Sequence, residues 1–412
     1  QPLYGVDDAM DALKQFAPVP YDQELRLSDN LRVFFRDAGH ILGSAILEIY
    51  VKEGDKETKL VFSGDLGQPD QPLLRDPTII HGADFVITES TYGDRLHQLY
   101  DKETALIEIV NETMDRGGNL IIPSFAVGRT QTLLYYFYRL HCEGRLDPDI
   151  PIIIDSPLAI NATRVFLKNF RDFDEESLKV FGKEGKVPNF AQVHLCETAA
   201  ESRALNTSEG SAIIISASGM ADAGRVLHHL KHNLWRKECT ILFVGYQAVG
   251  TLGRTLIDGA VNVKLFGETI DVQAEICQLT GLSGHADREG LLAWVNAFSP
   301  KPKRVFVIHG EDEVENIFAQ TLTEQGFNAC APYNGEQWAI GAEGAVCLQE
   351  GTKVRIQHKV SEGQNRAATV FQRLVSAGKR LLRVIEHNEG GANKDLAKFA
   401  DQINALCDKW DQ

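Results

Sequence analysis

Short apolar segments alternate with helical patterns through the middle of the chain, from about residue 102 to residue 244. Each strand-like run is followed by a longer segment of helical periodicity, which is the order of βαβ units. Because helices cover both faces of such sheets, the alternation predicts a mostly parallel sheet buried on both sides. The predicted strands of this block are residues 119–123, 150–154, 212–216 and 240–244.

Further strand-like segments flank this block on both sides. Before it they cover residues 31–36, 45–51, 59–62 and 85–88, and after it residues 261–266, 271–279 and 305–308. The βαβ block is therefore predicted to be an insertion between two halves of a mixed α/β unit. An acidic amphipathic helix is predicted at residues 6–16.

Length and composition limit the class of protein. A chain of 412 residues is too long for one hydrophobic core, so two or three structural units are expected. No apolar run is long enough to span a bilayer, and no signal-peptide pattern is present. Seven cysteines without a CxxC pair indicate reduced thiols in a cytoplasmic protein. A functional cysteine is disfavoured because none has an evident electropositive setting.

The net charge of the chain is −15. A protein that holds nucleic acid mainly by releasing counterions is basic, at least locally. Any nucleic acid must therefore be held by a focused groove and by metal ions rather than by general attraction.

Three polar side chains follow predicted strands, each in a turn next to glycine. His40 stands in the segment DAGHILGS, Asp65 in FSGDLG, and His309 directly after residues 305–308. Imidazole and carboxylate are ligands that zinc accepts, and paired ions can clamp a phosphodiester during in-line displacement. A single histidine after a strand is more often a core or capping residue, but three such residues together favour a metal site.

A second pair of candidate residues consists of Glu89, in TESTYG, and His285, in LSGHAD. A carboxylate that keeps an imidazole protonated makes a general acid for an alkoxide leaving group. Phosphodiester cleavage needs such a proton donor besides a nucleophile. Taken singly, each residue is better explained as a surface glutamate or a turn histidine.

Five motifs resemble, in order and context, the later motifs of the metallo-β-lactamase-fold β-CASP nucleases, the family of the cleavage-and-polyadenylation endonuclease and ribonuclease J. They are DAGH (37–40), SGD (63–65), ESTYG (89–93), SGHAD (283–287) and HGE (309–311). The resemblance implies two zinc ions, with His40 on one metal, a catalytic Asp65 bridging both and His309 on the second. It also implies that Glu89 and His285 form the proton-donating pair.

The resemblance extends over roughly residues 1–340 and implies an α/β fold, a metallo-β-lactamase αββα sandwich whose N-terminal part is missing. The sandwich would comprise residues 1–126 and 256–345. The inserted β-CASP α/β domain would be residues 127–255 and would cap the cleft. A C-terminal helical extension would occupy residues 346–412, with two amphipathic helices that pack on the body or form a homodimer, or alternatively track RNA phosphates.

Three polar clusters of the inserted block are expected to face the cleft: DSP (155–157), SASGM (216–220) and GYQAVGT (245–251). Hydroxyls and glycine amides can hold phosphate oxygens, so the candidate substrate-binding residues are Ser156, Ser216, Ser218 and Gly219. Ordinary turn chemistry explains any one of them about equally well. Helix surface or RNA contact is favoured over metal binding for a nearby histidine set, His228, His229 and His232.

The family's main metal-binding segment, histidine-x-histidine-x-aspartate-histidine, does not occur in the 412 residues. The metal site of this chain is therefore expected to be incomplete. One explanation is a fragment that lacks the leading strands, which the start at Gln1 favours. The other is a naturally short, catalytically dead protein, although all five motif residues keep the type that the chemistry needs.

The choice of substrate depends on His309, because family members that act on RNA carry a histidine at this position. The leading hypothesis is a zinc-dependent ribonuclease in RNA processing or decay, with internal and 5′-end cleavage both open. The alternative is a non-catalytic RNA-binding or scaffold subunit of the same fold. A small-molecule hydrolase is disfavoured because the inserted block and the Glu89–His285 pair have no evident use there.

Overall fold

The computed structural model describes residues 4–97, 101–181, 192–208, 210–279, 281–353, 381, 385 and 393–410. The chain divides into two compact units, Gln1–Lys353 and Val354–Gln412. Within the described ranges, no helix is both long and apolar enough to cross a bilayer. Strands and helices are numbered below in chain order.

The first unit contains a mixed seven-stranded sheet. Its strands, in spatial order, are β1 (Leu25–Ser28), β2 (Leu31–Asp37), β3 (Ala45–Glu53), β4 (Lys56–Phe62), β5 (Phe85–Thr88), β14 (Arg304–Val307) and β15 (Ala329–Cys330). The pairs from β1 to β4 are antiparallel, and those from β4 to β15 are parallel. Gly54 and Asp55 join β3 to β4 in a two-residue turn, where the positive φ of 62° at Gly54 suits a tight hairpin.

Strand β14 follows the inserted block in sequence yet pairs in parallel with β5, which precedes it. The two flanking halves therefore form one sheet. Valines of β4, β5 and β14 pack in one buried cluster with aromatic and aliphatic side chains from residues 288–296 and 312–324, which form two helices. This packing fixes the strand ends that carry the candidate site.

The inserted block forms a second sheet of six strands. In spatial order they are β13 (Glu275–Gln278), β10 (Thr240–Phe243), β6 (Leu120–Pro123), β9 (Ile213–Ser216), β7 (Ile152–Ile154) and β8 (Val193–Leu195). Every neighbouring pair is parallel, which confirms the predicted parallel sheet. Strands β6 and β13 lie on either side of the interval 127–255 in sequence, so the sheet draws on more of the chain than that interval.

Both faces of this second sheet are covered, as the sequence predicts. Side chains alternate across a strand, so Leu120 and Ile122 join one hydrophobic cluster while Ile121 joins another. Leu133 and Phe137 of a helix at residues 129–142 pack on the first face, and Val226 and Leu230 of a helix at residues 226–233 pack on the second.

The helices of the first unit are α1 (Val6–Leu13), α2 (Lys102–Asp115), α3 (Arg129–Cys142), α4 (Pro157–Lys168), α5 (Glu175–Phe181), α6 (Ala199–Leu205), α7 (Val226–Asn233), α8 (Leu252–Ile257), α9 (Arg288–Asn296) and α10 (Asp312–Glu324), with a 3-10 turn at Phe170–Asp172. Two hairpins complete it: β11 (Asn262–Leu265) with β12 (Glu268–Asp271), and β16 (Gln337–Gly341) with β17 (Gly344–Gln349). Helix α1 ends three residues before the predicted boundary at residue 16.

The second unit is described as one helix, α11 (Asn393–Trp410), which confirms the second of the predicted tail helices. The first predicted tail helix lies almost entirely outside the described residues. The αββα sandwich and the domain limits at residues 126, 255 and 345 stay predictions.

Candidate active site and metal centre

Four of the five candidate side chains follow strands that end at one edge of the first sheet. Strands β4, β5 and β14 are parallel neighbours, and β2 runs in the same direction because two antiparallel pairings separate it from β4. His40, Asp65, Glu89 and His309 come one to three residues after the ends of these strands. The sheet thus brings together residues that are far apart in sequence.

His285 reaches the same edge from the loop before α9. It forms an isolated antiparallel bridge with Gly67. The amide of Gln68 donates to the carbonyl of Gly284 at 3.0 Å, and the amide of Ala286 donates to the carbonyl of Leu66 at 2.8 Å. The loop of His285 is therefore hydrogen-bonded to the loop of Asp65 on both sides of the bridge.

Asp65 lies between two imidazoles. Its Oδ2 is 3.9 Å from Nε2 of His40, and its Oδ1 is 3.5 Å from Nδ1 of His309. The ring of His285 is adjacent, with its centroid 4.3 Å from that of His40. One ligand atom each of His40, Asp65 and His285 lie within 4.8 Å of one another.

This donor set fits a divalent transition metal, since neutral imidazole and carboxylate are ligands that zinc accepts. Burial lowers the pKa of His40, and the charge of the neighbouring His285 lowers it further. His40 is therefore neutral at pH 7, which is the form that binds a metal. Asp65 remains 38% exposed, so an ion can reach it from solvent.

Glu89 and His285 form a close pair. Nδ1 of His285 lies 3.0 Å from Oε1 and 3.1 Å from Oε2 of the carboxylate, which is 2% exposed. Burial alone would raise the pKa of Glu89, but the hydrogen bond and charge of His285 outweigh it, and the net effect is a lowered pKa. Burial alone would lower the pKa of His285, but Glu89 outweighs it, and the pKa is raised.

The Glu89 carboxylate is also held by main-chain donors. The amide of Leu66 donates to Oε1 at 2.6 Å, and the amide of Thr91 donates to Oε2 at 3.3 Å. The amide of Glu89 itself donates to Oγ of Ser63 at 3.0 Å. A carboxylate that accepts several N–H bonds is fixed in position and favoured in its charged form.

Glycines permit the close approach of the loops at this edge. A Cβ on Gly67 would lie 2.0 Å from the carbonyl oxygen of Gly39, and a Cβ on Gly284 would lie 2.9 Å from Cε1 of His40. The glycine-flanked motifs of the sequence therefore have a steric cause. Side chains at these positions would force the loops of His40, Asp65 and His285 apart.

His309 adopts a left-handed backbone conformation with φ of 57°. Its carbonyl oxygen accepts from Oγ1 of Thr91 at 3.3 Å, and Nδ1 lies 3.3 Å from the same hydroxyl. The hydroxyl of Ser90 donates to the carbonyl of Ile308 at 3.0 Å. This conformation costs a non-glycine residue energy, and such strain is concentrated at functional sites.

Comparisons with known proteins identify the family of this chain. The Beta-Casp domain family matches residues 130–256, and the family described as Zn-dependent metallo-hydrolase RNA specificity domain matches residues 269–332. A ribonuclease of Thermus thermophilus is 39% identical over 329 residues, which cover 79% of this chain and 73% of the relative. The chain belongs to the β-CASP metallo-β-lactamase family of RNA nucleases.

Other relatives place this β-CASP chain in a wide group. An RNase J-like protein of Methanocaldococcus jannaschii is 33% identical over 323 residues, 77% of this chain and 73% of the relative. The transcription termination factor FttA of the same organism is 30% identical over 330 residues, 77% of this chain and 51% of the relative. The resemblance predicted from the five motifs is thus confirmed.

The predicted substrate-binding serines lie at the second sheet, and their hydroxyl groups are already hydrogen-bonded within the protein. Ser156 caps α4, its Oγ accepting from the amide of Ala159, and the hydroxyl of Ser216 donates to the carbonyl of Asp155 at 2.8 Å. Ser218 accepts from the amide of Asp222 at 3.1 Å. A Cβ on Gly219 would lie 2.7 Å from the ring of Phe125, so this loop is closely packed.

Two expectations about this region are wrong. Asp155 does not face the cleft but is fully buried, and His229 does not lie on the helix surface but is 1% exposed. Nε2 of His229 lies 2.6 Å from Oδ2 of Asp155, and Nη1 of Arg225 donates to Oδ1 at 2.6 Å. A buried charge needs partners of this kind, and the sequence analysis missed Arg225 altogether.

A helical signal could have revealed the burial of His229. Val226, His229, Leu230 and Asn233 share the spacing i, i+3, i+4, i+7 of one buried helix face, and all four are buried. A helix surface or an RNA contact was predicted for the three histidines instead. Arg129 was also missed. Tyr246 lies in the predicted cluster 245–251, and its hydroxyl donates to Glu311, which links the second sheet to the first.

Proposed function

We propose that this chain hydrolyses phosphodiester bonds of RNA, with metal ions held around Asp65 and a proton supplied by His285. The observation that carries the proposal is the contact of His285 with both oxygens of buried Glu89, beside an aspartate that has an imidazole on each side. A protonated imidazole can act as the general acid, and a neighbouring metal site can stabilise the charge on the phosphate, which are the two roles that phosphodiester cleavage requires.

His40, Asp65 and His309 would hold the metal, and two zinc ions are the cofactor that the family likeness implies. When bound, such ions supply Lewis-acid stabilisation of the charge that develops on the phosphate. Asp65 would hold metal with either oxygen, and the support for this is that its two oxygens face different imidazoles. His40 contributes a neutral ring without further loss of a proton.

His285 would donate its proton to the oxygen that leaves phosphorus. Glu89 keeps the imidazole charged until that moment and fixes its orientation through Nδ1. Glu89 is itself fixed by the amides of Leu66 and Thr91. The proton donor His285 would therefore be held in its working orientation before the substrate binds. A histidine oriented by a carboxylate can also be a metal ligand, so His285→Ala should leave zinc content unchanged if the residue is the donor.

The RNA would be held by the loop that contains Ser218 and Gly219, through main-chain amides and the serine hydroxyl. Ser156 and Ser216 are engaged with the protein, so their proposed part is to fix this loop. The substrate is proposed to be RNA rather than DNA, supported by His309 and by its position inside the matched RNA specificity domain. The acidic net charge makes such local contacts necessary.

A non-catalytic RNA-binding or scaffold role is the second candidate. The observation in its favour is that the 412 residues contain no histidine-x-histidine segment, which leaves few ligands for two ions. This role requires RNA binding without turnover in the presence of zinc. A homodimer through the tail helices is a separate proposal, tested by the solution mass of the chain truncated after residue 350.

The decisive experiment compares Asp65→Ala with Asp55→Ala, which removes an exposed carboxylate from the β3–β4 turn. Zinc content and cleavage of end-labelled RNA are measured for both variants and for the unchanged chain. We expect Asp65→Ala to lose both zinc and cleavage, and Asp55→Ala to keep both. The lengths of the products distinguish internal cleavage from cleavage at the 5′ end. Cleavage retained in Asp65→Ala would overturn the mechanism. Binding without cleavage by the full-length, zinc-loaded gene product would favour the scaffold role.

A further inference from the structure

Arg129, the first residue of α3, carries a guanidinium group with two unpartnered nitrogen atoms. Its Nε and Nη1 atoms are inaccessible to solvent and make no hydrogen bond to any described residue. Buried polar side-chain atoms are nearly always hydrogen-bonded, and a buried charge without a partner is costly. The unfilled donors therefore call for an explanation that the fold alone does not supply.

The backbone around Arg129 is firmly held. Oε1 of Gln131 accepts from the amide of Gly128 at 2.7 Å, and Nε2 of Gln131 donates to the carbonyl of Ala126 at 3.1 Å. A Cβ on Gly128 would lie 3.0 Å from Cγ2 of Ile41, the residue after His40. Arg129 is thus fixed where the second sheet meets the site edge of the first.

The charge of Arg129 acts on groups of the candidate site. Arg129 opposes the raised pKa of His285, and the ring of Tyr92 lies 6.4 Å from that of His285. Burial lowers the pKa of Arg129 to about 10, so the group stays protonated at neutral pH. Tyr136 and Tyr92 raise its pKa slightly against the effect of burial, and no described carboxylate is among the groups that shift it.

A second cation lies close to Arg129. Lys102 begins α2 and is partly buried; burial lowers its pKa, and the charge of Arg129 lowers it further. Lys102 forms no ion pair with a described carboxylate. Two neighbouring cations repel each other, and an anion bound there would relieve this repulsion.

We propose that Arg129, assisted by Lys102, binds a phosphate group of the substrate RNA next to His285. The proposal rests on the proposed function, because the anion is a phosphate of the same RNA strand. A guanidinium presents donors in a planar fork that matches phosphate oxygens, which a single ammonium does not. Because Nε and Nη1 are closed to solvent in the free protein, the guanidinium would have to turn toward the cleft for a phosphate to complete their hydrogen bonding.

Removal of the charge separates this binding role from a structural role. Arg129→Gln and Arg129→Lys are compared with Arg26→Gln, which removes an exposed arginine from β1 in the same chain. Thermal unfolding is measured on the free protein. Binding of a labelled oligouridine is measured by fluorescence anisotropy over a range of salt concentrations. Zinc is present, and His285→Ala is added to every variant and to the unchanged chain to prevent cleavage.

We expect Arg129→Gln to weaken RNA binding by about 10-fold to 100-fold, as for loss of a charge-assisted hydrogen bond. The slope of log affinity against log salt should decrease by about 0.7, the value for one phosphate of a single strand. The melting temperature of the free protein should stay unchanged or rise, because an unpaired buried charge is removed. Arg129→Lys should retain the slope with intermediate affinity, and Arg26→Gln should match the unchanged chain.

An unchanged salt slope in Arg129→Gln would overturn the inference, as would a loss of affinity that accompanies a lower melting temperature in both Arg129 variants. The first result means that no phosphate is contacted, and the second that the residue is structural. If the unchanged chain fails to bind RNA, the proposed function falls together with the inference. If it binds and the Arg129 variants bind equally, the inference alone falls.

Discussion

Glu89 and His285 are 196 residues apart in sequence, yet both carboxylate oxygens of the first lie within 3.1 Å of one ring nitrogen of the second. The contact joins the loop after β5 to the loop before α9. All strands of the second sheet lie between these two loops in the sequence. It is the one candidate pair whose pKa shifts are opposite in sign and mutually caused. Such pairs identify acid and base roles in active sites.

Glu89→Gln should slow RNA cleavage by about 100-fold or more, since the general acid loses the charge that keeps it protonated. Glu89 raises the pKa of His285. Without that charge the pKa falls, and the acidic form persists only to a lower pH. The alkaline limb of the pH–rate profile should therefore move to lower pH. Glu108→Gln, on the exposed side of α2, serves as the matched control, and an unmoved alkaline limb would contradict the assignment.

Asp155→Asn should reduce the free energy of unfolding at pH 7 by about 3–5 kcal/mol, because Arg225 and His229 lose a buried charged partner. Burial alone would raise the pKa of Asp155, but hydrogen bonds from His229, Ser202 and Arg225 outweigh it and hold the pKa well below its usual range. The stabilisation is therefore present above pH ~4 and lost as the pH falls toward the lowered value.

The measurement for Asp155→Asn is urea unfolding at neutral and acid pH. The unchanged chain should lose more stability in acid than the variant does. Asp258→Asn is the control, because it removes an exposed i, i+4 partner of Arg254 and should cost less than about 0.5 kcal/mol. Equal losses for both variants at pH 7 would refute the idea that the buried cluster is a major stabilising feature.

Gly67→Ala should lower the free energy of unfolding by about 1–3 kcal/mol, as other overpacked sites do. The added Cβ would lie 2.0 Å from the Gly39 carbonyl oxygen and 2.9 Å from the His40 amide. The loops of His40 and Asp65 must separate, so zinc affinity should fall as well. Gly245→Ala, whose Cβ would make an ordinary contact of 3.9 Å with Phe125, should change neither quantity. Normal zinc binding by Gly67→Ala would show that the loop spacing is not critical.

His309→Gly should be more stable than His309→Ala by about 1 kcal/mol, because glycine accepts a φ of 57° without strain. Both variants lack the imidazole and should lose zinc to the same extent. The same two substitutions at His194, an exposed residue of β8 outside the left-handed region, should have the opposite order in stability. Chemical denaturation of the four variants measures both differences, and the same order at the two positions would argue against backbone strain at His309.

The sequence predicted the candidate site better than its surroundings. Polar residues after apolar strands located His40, Asp65, Glu89 and His309, because parallel strands end at the same edge of a sheet. Periodicity also predicted the parallel second sheet. Periodicity does not show which distant strands pair with each other. The pairing of β14 with β5 is known only from the structure.

The errors and omissions have physical causes of other kinds. His229 was assigned to the surface because histidine is polar, although its helix position among Val226 and Leu230 is apolar. The left-handed conformation of His309 carries no sequence signal, since histidine has no glycine-like freedom. The sequence likewise gives no sign that two nitrogen atoms of Arg129 lack hydrogen-bond partners, because partners are set by the three-dimensional surroundings.

The strands of the second sheet lie, in the sequence, between the first three residues of the site and the last two. This order has a consequence for the synthesis of the chain on the ribosome. Synthesis at roughly 5–20 residues per second needs roughly 10–40 s to proceed from Glu89 to His285. During that interval the nascent chain holds His40, Asp65 and Glu89 without their partners. If the proposed activity is correct, the nascent chain cannot cut the messenger from which it is translated until His285 and His309 have emerged.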